Sequence, residues 1–310
     1  MSHTFITYLL FAIVLLFALI FDLGLINKKG KKVTLRMAVW QTVLWVSLSI
    51  LFGVWVWFEN GHELSIEYYS AYLMEWSLSV DNIFVFILIF AAFDIDEKYY
   101  GRVLIVGILM AIILRILFIF VGISLVSRFH WILYLFGAFL VYTGLQMFLS
   151  REDKAFNPDE NRIYRFLKSY FPVSDRVDEK GNFFIRESGK RKLSRLGVVV
   201  GILAGTDVVF AVDSIPAVLA ISQDKLVVYT SNIFAVLGLR SLFFLLQGAV
   251  NRFTYLQQGV SVILVFIGLK MLVGLLDIHI PTYVSLLVIV LCISISIGLS
   301  MLIARRHKQI

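Results

Sequence analysis

Nine long apolar segments, almost free of charged residues, run through this 310-residue sequence from end to end. One bilayer crossing takes roughly 20 consecutive apolar residues in a helix, so each segment is long enough to span a membrane. The segments predict nine spans, at 5–26, 37–58, 66–93, 103–126, 131–149, 196–221, 226–249, 257–275 and 281–303. The sequence therefore predicts an all-α, polytopic membrane protein embedded in a lipid bilayer.

Composition supports this class and excludes others. Hydrophobic residues make up 60% of the chain and charged residues 16%, against about 45–50% and 25% in soluble domains. The single cysteine, Cys292, excludes a disulfide scaffold and a thiolate metal site. The net charge of +7 first suggests nucleic acid, but most of the cations lie in loops on one side. We therefore expect no nucleic-acid partner and no bound cofactor.

Lys and Arg are distributed unequally between alternate loops. One set of loops, with 23 Lys and Arg, comprises 27–36, 94–102, 150–195, 250–256 and the tail 305–310. The other set holds only two, Arg128 and Lys225. Because cytoplasmic loops carry the excess of positive charge, we expect the N-terminus outside and the C-terminus in the cytoplasm.

The loop 150–195 is the one substantial polar segment, and we expect it in the cytoplasm. Its first half, NPDENRIYRFLKSYFP, predicts a short amphipathic helix that ends at Pro172. Its second half, DEKGNFFIRESGKRK, predicts two short β-strands around turn residues. About 45 residues are too few to build an independent core. Two interpretations stay open, a linker on the membrane surface and a regulatory domain.

Three pairs of similar motifs indicate an internal repeat. They are EWSLSVDNIF and DVVFAVDSIP, RILFIF and RSLFFL, and LVYTGLQM and LVFIGLKM, in the same order in the third-to-fifth and sixth-to-eighth spans. Each unit has three spans, an odd number, so the second unit enters the membrane inverted, as in many transporters. The predicted divisions are two peripheral helices in 1–65, the first unit in 66–149, the loop 150–195, the second unit in 196–276, and a last helix with a basic tail in 277–310.

Charged residues inside the predicted spans point to a site for cations. Such a residue costs roughly 2.5–3.5 kcal/mol at a helix centre, and it rarely lacks a function. Asp22 and Lys270 lie near span ends, where we expect them at the interface. The deeper carboxylates, our predicted metal ligands, are Glu75, Asp81, Asp207 and Asp213. Because candidate ligands of this kind are all oxygens, they favour Mn²⁺, Mg²⁺ or Ca²⁺.

Other polar residues in the spans are predicted to support these acids. The supporting or charge-pairing residues are Ser79, Asn82, Arg115, Ser214, Asn232 and Arg240. Alternatively, the two arginines pair with acids only to hold helices together. A straight helix places Glu75 and Asp81 about 120° apart, so both reach one ion only if the helix is broken or kinked. Pro216, beside Asp213, supplies a cause for such a break in the second unit, and the alternative is a harmless proline kink.

These motifs resemble the signature segments of a known family. EWSLSVDNIFVF (Glu75–Phe86), FAVDSIPAVLAIS (Phe210–Ser222) and SNIFAVLGLRSLFF (Ser231–Phe244) are similar to the TerC family of bacterial integral membrane proteins, above all to its Alx-like members. The resemblance implies Mn²⁺ export of the LysE type, a link to tellurite resistance and a place in the bacterial cytoplasmic membrane. It puts the family's intramembrane acids on Glu75, Asp81 and Asp213 here.

The sequence therefore predicts a membrane protein that is not an enzyme and that exports a divalent cation, most of all Mn²⁺, by alternating access around the carboxylates. One alternative is a membrane scaffold that loads metal or serves a tellurite response without transport. Another is an intramembrane aspartyl protease, but the chain has GTD at 205–207 where a GxGD motif is needed. The coupling ion and the oligomeric state are left open.

Overall fold

The structure is a computed structural model, and it describes most of the chain. The described residues are 3–26, 33–129, 131–149, 161–174, 176–178, 181–187, 189–247, 255–276, 278 and 280–306. Within them the chain forms ten α-helices, one β-hairpin and one 3-10 turn (Gly274–Leu276). The helices are α1 (His3–Ile26), α2 (Leu35–Asn60), α3 (His62–Ala92), α4 (Glu97–Arg128), α5 (Ile132–Leu149), α6 (Arg162–Tyr170), α7 (Arg195–Ile221), α8 (Lys225–Gln247), α9 (Leu256–Val273) and α10 (Thr282–Arg306). The hairpin strands are β1 (Phe184–Glu187) and β2 (Lys190–Leu193).

Among the described residues, each of the nine predicted spans coincides with one of the ten α-helices. The tenth helix, the short α6, lies in the polar loop 150–195. Seven of these helices are long and apolar enough to cross a membrane by length and composition. The other two are α1 and α3, and α3 carries four acidic residues along its length. The prediction of an all-α polytopic membrane protein is confirmed, whereas the count of nine spans and the repeat stay predictions.

Six helices form the centre of the bundle. α3 packs against α8, α4 packs against α7, and α5 packs against α9, while α3 also meets α7 and α4 meets α8. The predicted repeat matches α3, α4 and α5 with α7, α8 and α9, respectively. Under this match the α3–α8 contact and the α4–α7 contact are equivalent. α1 and α2 pack on one another and on α8, and α10 packs on α9 and α3.

The α5–α9 contact brings two main chains together. A Cβ at Gly144 would lie 2.9 Å from the carbonyl oxygen of Ser261 and 2.8 Å from Cγ2 of Val265. A Cβ at Gly268 would lie 2.6 Å from the carbonyl oxygen of Gly137 and 2.8 Å from Cγ2 of Val141. Only glycine permits so close an approach. Gly144 and Gly268 hold the same position in the LVYTGLQM and LVFIGLKM motifs, so the two sets of contacts are reciprocal.

We expect Gly268→Val to destabilise the protein, because its side chain would collide with the backbone of α5. Overpacking of this kind costs about 1–3 kcal/mol, which should appear as a lower midpoint of thermal unfolding in detergent. The matched control is Gly298→Ala in α10, where an added Cβ meets nothing within 4 Å. A midpoint for Gly268→Val equal to that of the control would contradict the close contact.

The segment that precedes α7 folds as the sequence predicts, with a helix and then two strands. Asn161 begins α6, and its side chain accepts hydrogen bonds from the backbone N–H groups of Ile163 and Tyr164 at 2.9 and 3.0 Å. β1 and β2 then pair in antiparallel fashion. Ser194 ends this segment and caps α7, since its hydroxyl accepts from the N–H of Gly197 and donates to the carbonyl of Asn182. The hairpin is therefore fixed to the first turn of α7.

Candidate functional site

Arg115 on α4 lies at the centre of a buried charged group. Its Nε and Nη2 atoms donate to Oδ2 and Oδ1 of Asp207 on α7, both at 3.2 Å. Its Nη1 atom forms an ion pair with Oε1 of Glu75 on α3 and donates to Oδ1 of Asn232 on α8 at 2.7 Å. The side chain of Arg115 is 1% exposed. The guanidinium of Arg115 thus links α4 to α3, α7 and α8, and it binds the carboxylates of both Glu75 and Asp207.

Two polar stripes converge on this group. Residues three, four or seven positions apart share one face of an α-helix. Glu75, Ser79 and Asn82 are therefore one stripe on α3, and all three are buried. Asp207 and Ser214, seven residues apart on α7, form the second stripe and are also buried. Polar side chains buried in this way normally have partners.

Several of these polar groups lack a partner among the described residues. The hydroxyls of Ser77, Ser79 and Ser214 and the amide nitrogen of Asn232 are buried without a hydrogen bond there. A buried polar atom without a partner costs about 1–3 kcal/mol. Ser79 and Ser214, which share the faces of Glu75 and Asp207, therefore offer hydroxyl oxygens that a hard cation could use.

Asp213 occupies a different face of α7. It lies six residues after Asp207, which is about 120° around the helix, and it is half-buried. No ion pair or hydrogen bond of its side chain occurs within the described part of the chain. α7 is helical without interruption from Arg195 to Ile221, with Pro216 inside it. Of the two possibilities that Pro216 raises, the unwound break beside Asp213 is absent, because α7 continues as a helix through the proline.

The remaining candidates are only partly described. The side chains of Asp22 and Asp81 lie outside the part of the chain that the structure describes. Arg240 on α8 is buried, and a Cβ at Gly101 on α4 would lie 3.9 Å from its Nη2 atom. Within the described residues, no three His, Cys, Asp or Glu side chains are grouped to hold a metal ion. The metal-binding roles of the four acids stay predictions.

A small pocket adjoins Asp207. It is lined by residues of four helices: Phe86, Leu104, Gly107, Ile108, Ala111, Leu203, Asp207 and Leu239. It has room for about one water molecule. Leu203 is one turn closer than Asp207 to the start of α7, the end of the bundle that carries the hairpin. We call this end the hairpin end, and the pocket lies on that side of Asp207.

The packing of α6 beside this site was missed by reasoning from the sequence. A Cβ at Gly201 would lie 2.8 Å from Cδ1 of Leu167, and a Cβ at Gly205 would lie 2.7 Å from Cγ2 of Ile163. Thus α6 packs along α7 to within two residues of Asp207. The sequence does carry a signal for this contact. Gly201 and Gly205 in α7 are four residues apart, and so are Ile163 and Leu167 in α6. The α6 part of the loop is therefore attached to the bundle.

We expect Ile163→Ala to weaken the packing of α6 on α7, because the side chain of Ile163 lies directly against Gly205. Hydrogen–deuterium exchange of peptides covering 162–170 should be faster in this variant than in the wild type. The matched control is Phe166→Ala on the same helix, since Phe166 is 57% exposed and removing it uncovers little. Equal exchange in the two variants would show that the contact with α7 does not hold α6 in place.

Comparison with known proteins identifies the family. Residues 60–308 match the family described as "Integral membrane protein TerC family". A Myxococcus xanthus protein named "Uncharacterized membrane protein STKORF319" is 44% identical over 92% of this chain and 88% of its own length. The Escherichia coli (strain K12) protein named "Putative membrane-bound redox modulator Alx" is 41% identical over 89% of this chain and 88% of its own length.

A Salmonella typhi protein with the same name as the E. coli relative is 40% identical, again over 89% of this chain and 88% of its own length. No solved structure matches this chain. The family match covers all the helices of the central bundle, and the relatives extend it over most of the sequence. The chain is a multi-pass membrane protein that belongs to the TerC family.

Proposed function

We propose that this chain exports divalent cations, Mn²⁺ above others, from the cytoplasm by alternating access. Glu75, Asp81, Asp207 and Asp213 are the ion-binding carboxylates in this proposal, and no covalent chemistry takes place. The observation that carries it is the buried group in the middle of the bundle, where acids from α3 and α7 meet at Arg115. Ionisable groups at membrane depth typically mark ion or proton pathways.

The chemistry of the available ligands supports a hard cation. The buried side chains on α3 and α7 that lack partners in the described residues include the hydroxyls of Ser77, Ser79 and Ser214, and hydroxyl oxygens suit Mn²⁺, Mg²⁺ or Ca²⁺. Copper and zinc sites nearly always include a thiolate or an imidazole. The one cysteine lies on α10, and the five histidines, at positions 3, 62, 130, 279 and 307, lie outside or at the ends of the central helices.

The arrangement of the central helices supports alternating access. Reciprocal contacts of Gly144 and Gly268, together with the α3–α8 and α4–α7 pairings, fit two units of opposite orientation. Transporters of this construction open to either side of a central site. In our proposal the hairpin end is cytoplasmic, because the hairpin itself and Arg102, which packs over Phe183, belong to Lys- and Arg-containing loops. The membrane is then the bacterial cytoplasmic membrane.

A non-transporting scaffold is the competing function, and the names of the Alx relatives suggest a redox role as a second one. Within this sequence a single cysteine excludes an internal thiol–disulfide couple. Neither competing role requires that the purified chain move an ion. Cation flux through the purified protein therefore separates the proposal from both.

The test is reconstitution of the purified protein into liposomes that contain a metal-quenched fluorophore. We expect Mn²⁺ to enter faster than Mg²⁺, Ca²⁺ or Zn²⁺ offered at the same concentration, and faster than in protein-free liposomes. Analysis of the metals in cells lacking the protein should show excess manganese after growth with added Mn²⁺. If no cation enters faster than in protein-free liposomes, the transport proposal is wrong and a scaffold is the better explanation.

A further inference from the structure

Arg115 occupies the space that a cation bound between Glu75 and Asp207 would need. Its guanidinium holds both oxygens of Asp207 at 3.2 Å and contacts Glu75 with the remaining nitrogen. All three side chains are buried. A divalent cation bound to the same carboxylates would meet this positive charge at close range, where the repulsion is weakly screened. The two cations are therefore alternatives at one site.

We infer that Arg115 is a tethered counter-cation that occupies Glu75 and Asp207 when the site is empty and leaves them when the transported cation binds. This inference rests on the proposed function. It adds to that function the step by which the empty carrier returns to the cytoplasmic side.

Charge explains why the return step needs such a group. Two ionised carboxylates without a cation are costly to enclose at membrane depth. With Arg115 between them, the formal charge of the group falls from −2 to −1. An arginine side chain stays protonated in proteins, so it supplies this charge on every cycle. The empty site therefore encloses one net negative charge instead of two.

Asn232 provides a place for the displaced guanidinium. Its Oδ1 atom accepts from Nη1 of Arg115 at 2.7 Å, and the residue is fully buried on α8. An amide oxygen is a weaker ligand for a hard cation than a carboxylate, so the cation takes the two acids and leaves Asn232 to Arg115. Since the acids lie on α3 and α7, this exchange changes the contacts of α4 with both helices.

The simpler alternative is that Arg115 only fixes the helices to one another. A fixed ion pair contributes to folding, and its loss lowers every transport mode in proportion to the folded protein that remains. A counter-cation acts in net transport, where the empty site must return, and not in the exchange of Mn²⁺ for Mn²⁺, where the site is always loaded. Comparing these two modes separates the alternatives.

The experiment measures net Mn²⁺ flux and radioactive Mn²⁺ exchange in liposomes with equal amounts of folded wild type, Arg115→Gln and Arg115→Lys. We expect Arg115→Gln to keep exchange close to the wild type. Its net flux should fall at least about tenfold, which corresponds to roughly 1.4 kcal/mol of added cost for the empty site. Arg115→Lys keeps the positive charge but loses the planar guanidinium that binds a carboxylate through two nitrogens. Its net flux should therefore lie between those of the wild type and Arg115→Gln.

The matched control is Arg128→Gln, an exposed arginine in the last turn of the same helix, which should leave both modes unchanged. Equal reduction of both modes in Arg115→Gln, or no reduction of either, would overturn the inference and leave Arg115 as a structural link. If Arg115→Gln does not fold, the same comparison is made with Arg115→Lys. A larger loss of net flux than of exchange in that variant supports the inference, and an equal loss overturns it. If the wild type moves no Mn²⁺ in either mode, it is the proposed function that fails.

Discussion

We expect Asp213→Asn to abolish Mn²⁺ export while the protein remains folded in the membrane. The amide has the size of the carboxylate but lacks the charge that attracts a divalent cation. Even a residue behind a metal ligand typically costs 10–100-fold when it is replaced, so export should fall by at least about tenfold. Asp213 has no ion pair among the described residues, and a neutral residue is cheaper to bury than an ion. Stability should therefore be equal to the wild type or higher.

The measurement is cellular manganese after a Mn²⁺ challenge, at matched membrane levels of each variant. Asp81→Asn should behave as Asp213→Asn does, because both residues hold the second position of an acidic pair. Asp22→Asn, predicted at the membrane edge, should have a much milder effect. Full manganese clearance by both Asp81→Asn and Asp213→Asn would refute the carboxylate mechanism.

Asp207→Asn should have the opposite signature, with a large loss of stability. It removes one partner of a buried ion pair and leaves Glu75 as the remaining carboxylate on Arg115. Breaking a buried pair from one side costs about 3–5 kcal/mol, and the remaining partner should keep the loss near the lower limit. The midpoint of thermal unfolding of the purified protein should fall clearly below that of Asp213→Asn, a substitution of the same type on the same helix.

A second substitution tests the cause of this loss. Arg115→Met, alone and in the Asp207→Asn background, completes a double-mutant cycle. Because each single substitution already breaks the Arg115–Asp207 pair, the double variant should lose less stability than the sum of the two single losses. Non-additivity of this kind is the sign of a direct interaction. If the two substitutions destabilise additively, the Arg115–Asp207 pair contributes little, and the contact has no energetic role.

Much of the architecture could be predicted because it depends on properties that are local in the sequence. Apolar length determines where a helix can cross a bilayer, so all nine segments coincide with helices and differ from them mainly at the ends. The amphipathic helix ahead of Pro172 and the two strands follow from equally local patterns. TerC membership followed from three motifs and is confirmed by the family match.

The pairing inside the site could not be predicted, because it depends on how separate helices are rotated against each other. Both arginines and all four acids were equally eligible from the sequence. Only the packing of α4 on α7 puts Arg115, rather than Arg240, on Asp207. The contact of Ile163 with Gly205 depends on a similar long-range match, since the two residues lie on either side of the hairpin.

Direct contact between the main chains of α5 and α9 has a mechanical consequence. Interlocking side chains can slip past each other by changing rotamer, but two backbones in contact have nothing between them that can yield. The pair therefore behaves as one rigid strut, and under the inverted arrangement it takes one helix from each half. In the proposed alternating access, a strut of this kind would fix the distance between the halves, so that widening the gap on one side of the membrane would narrow it on the other. Simultaneous opening to both sides, which would let ions leak down their gradients, would then be opposed by the rigid α5–α9 pair.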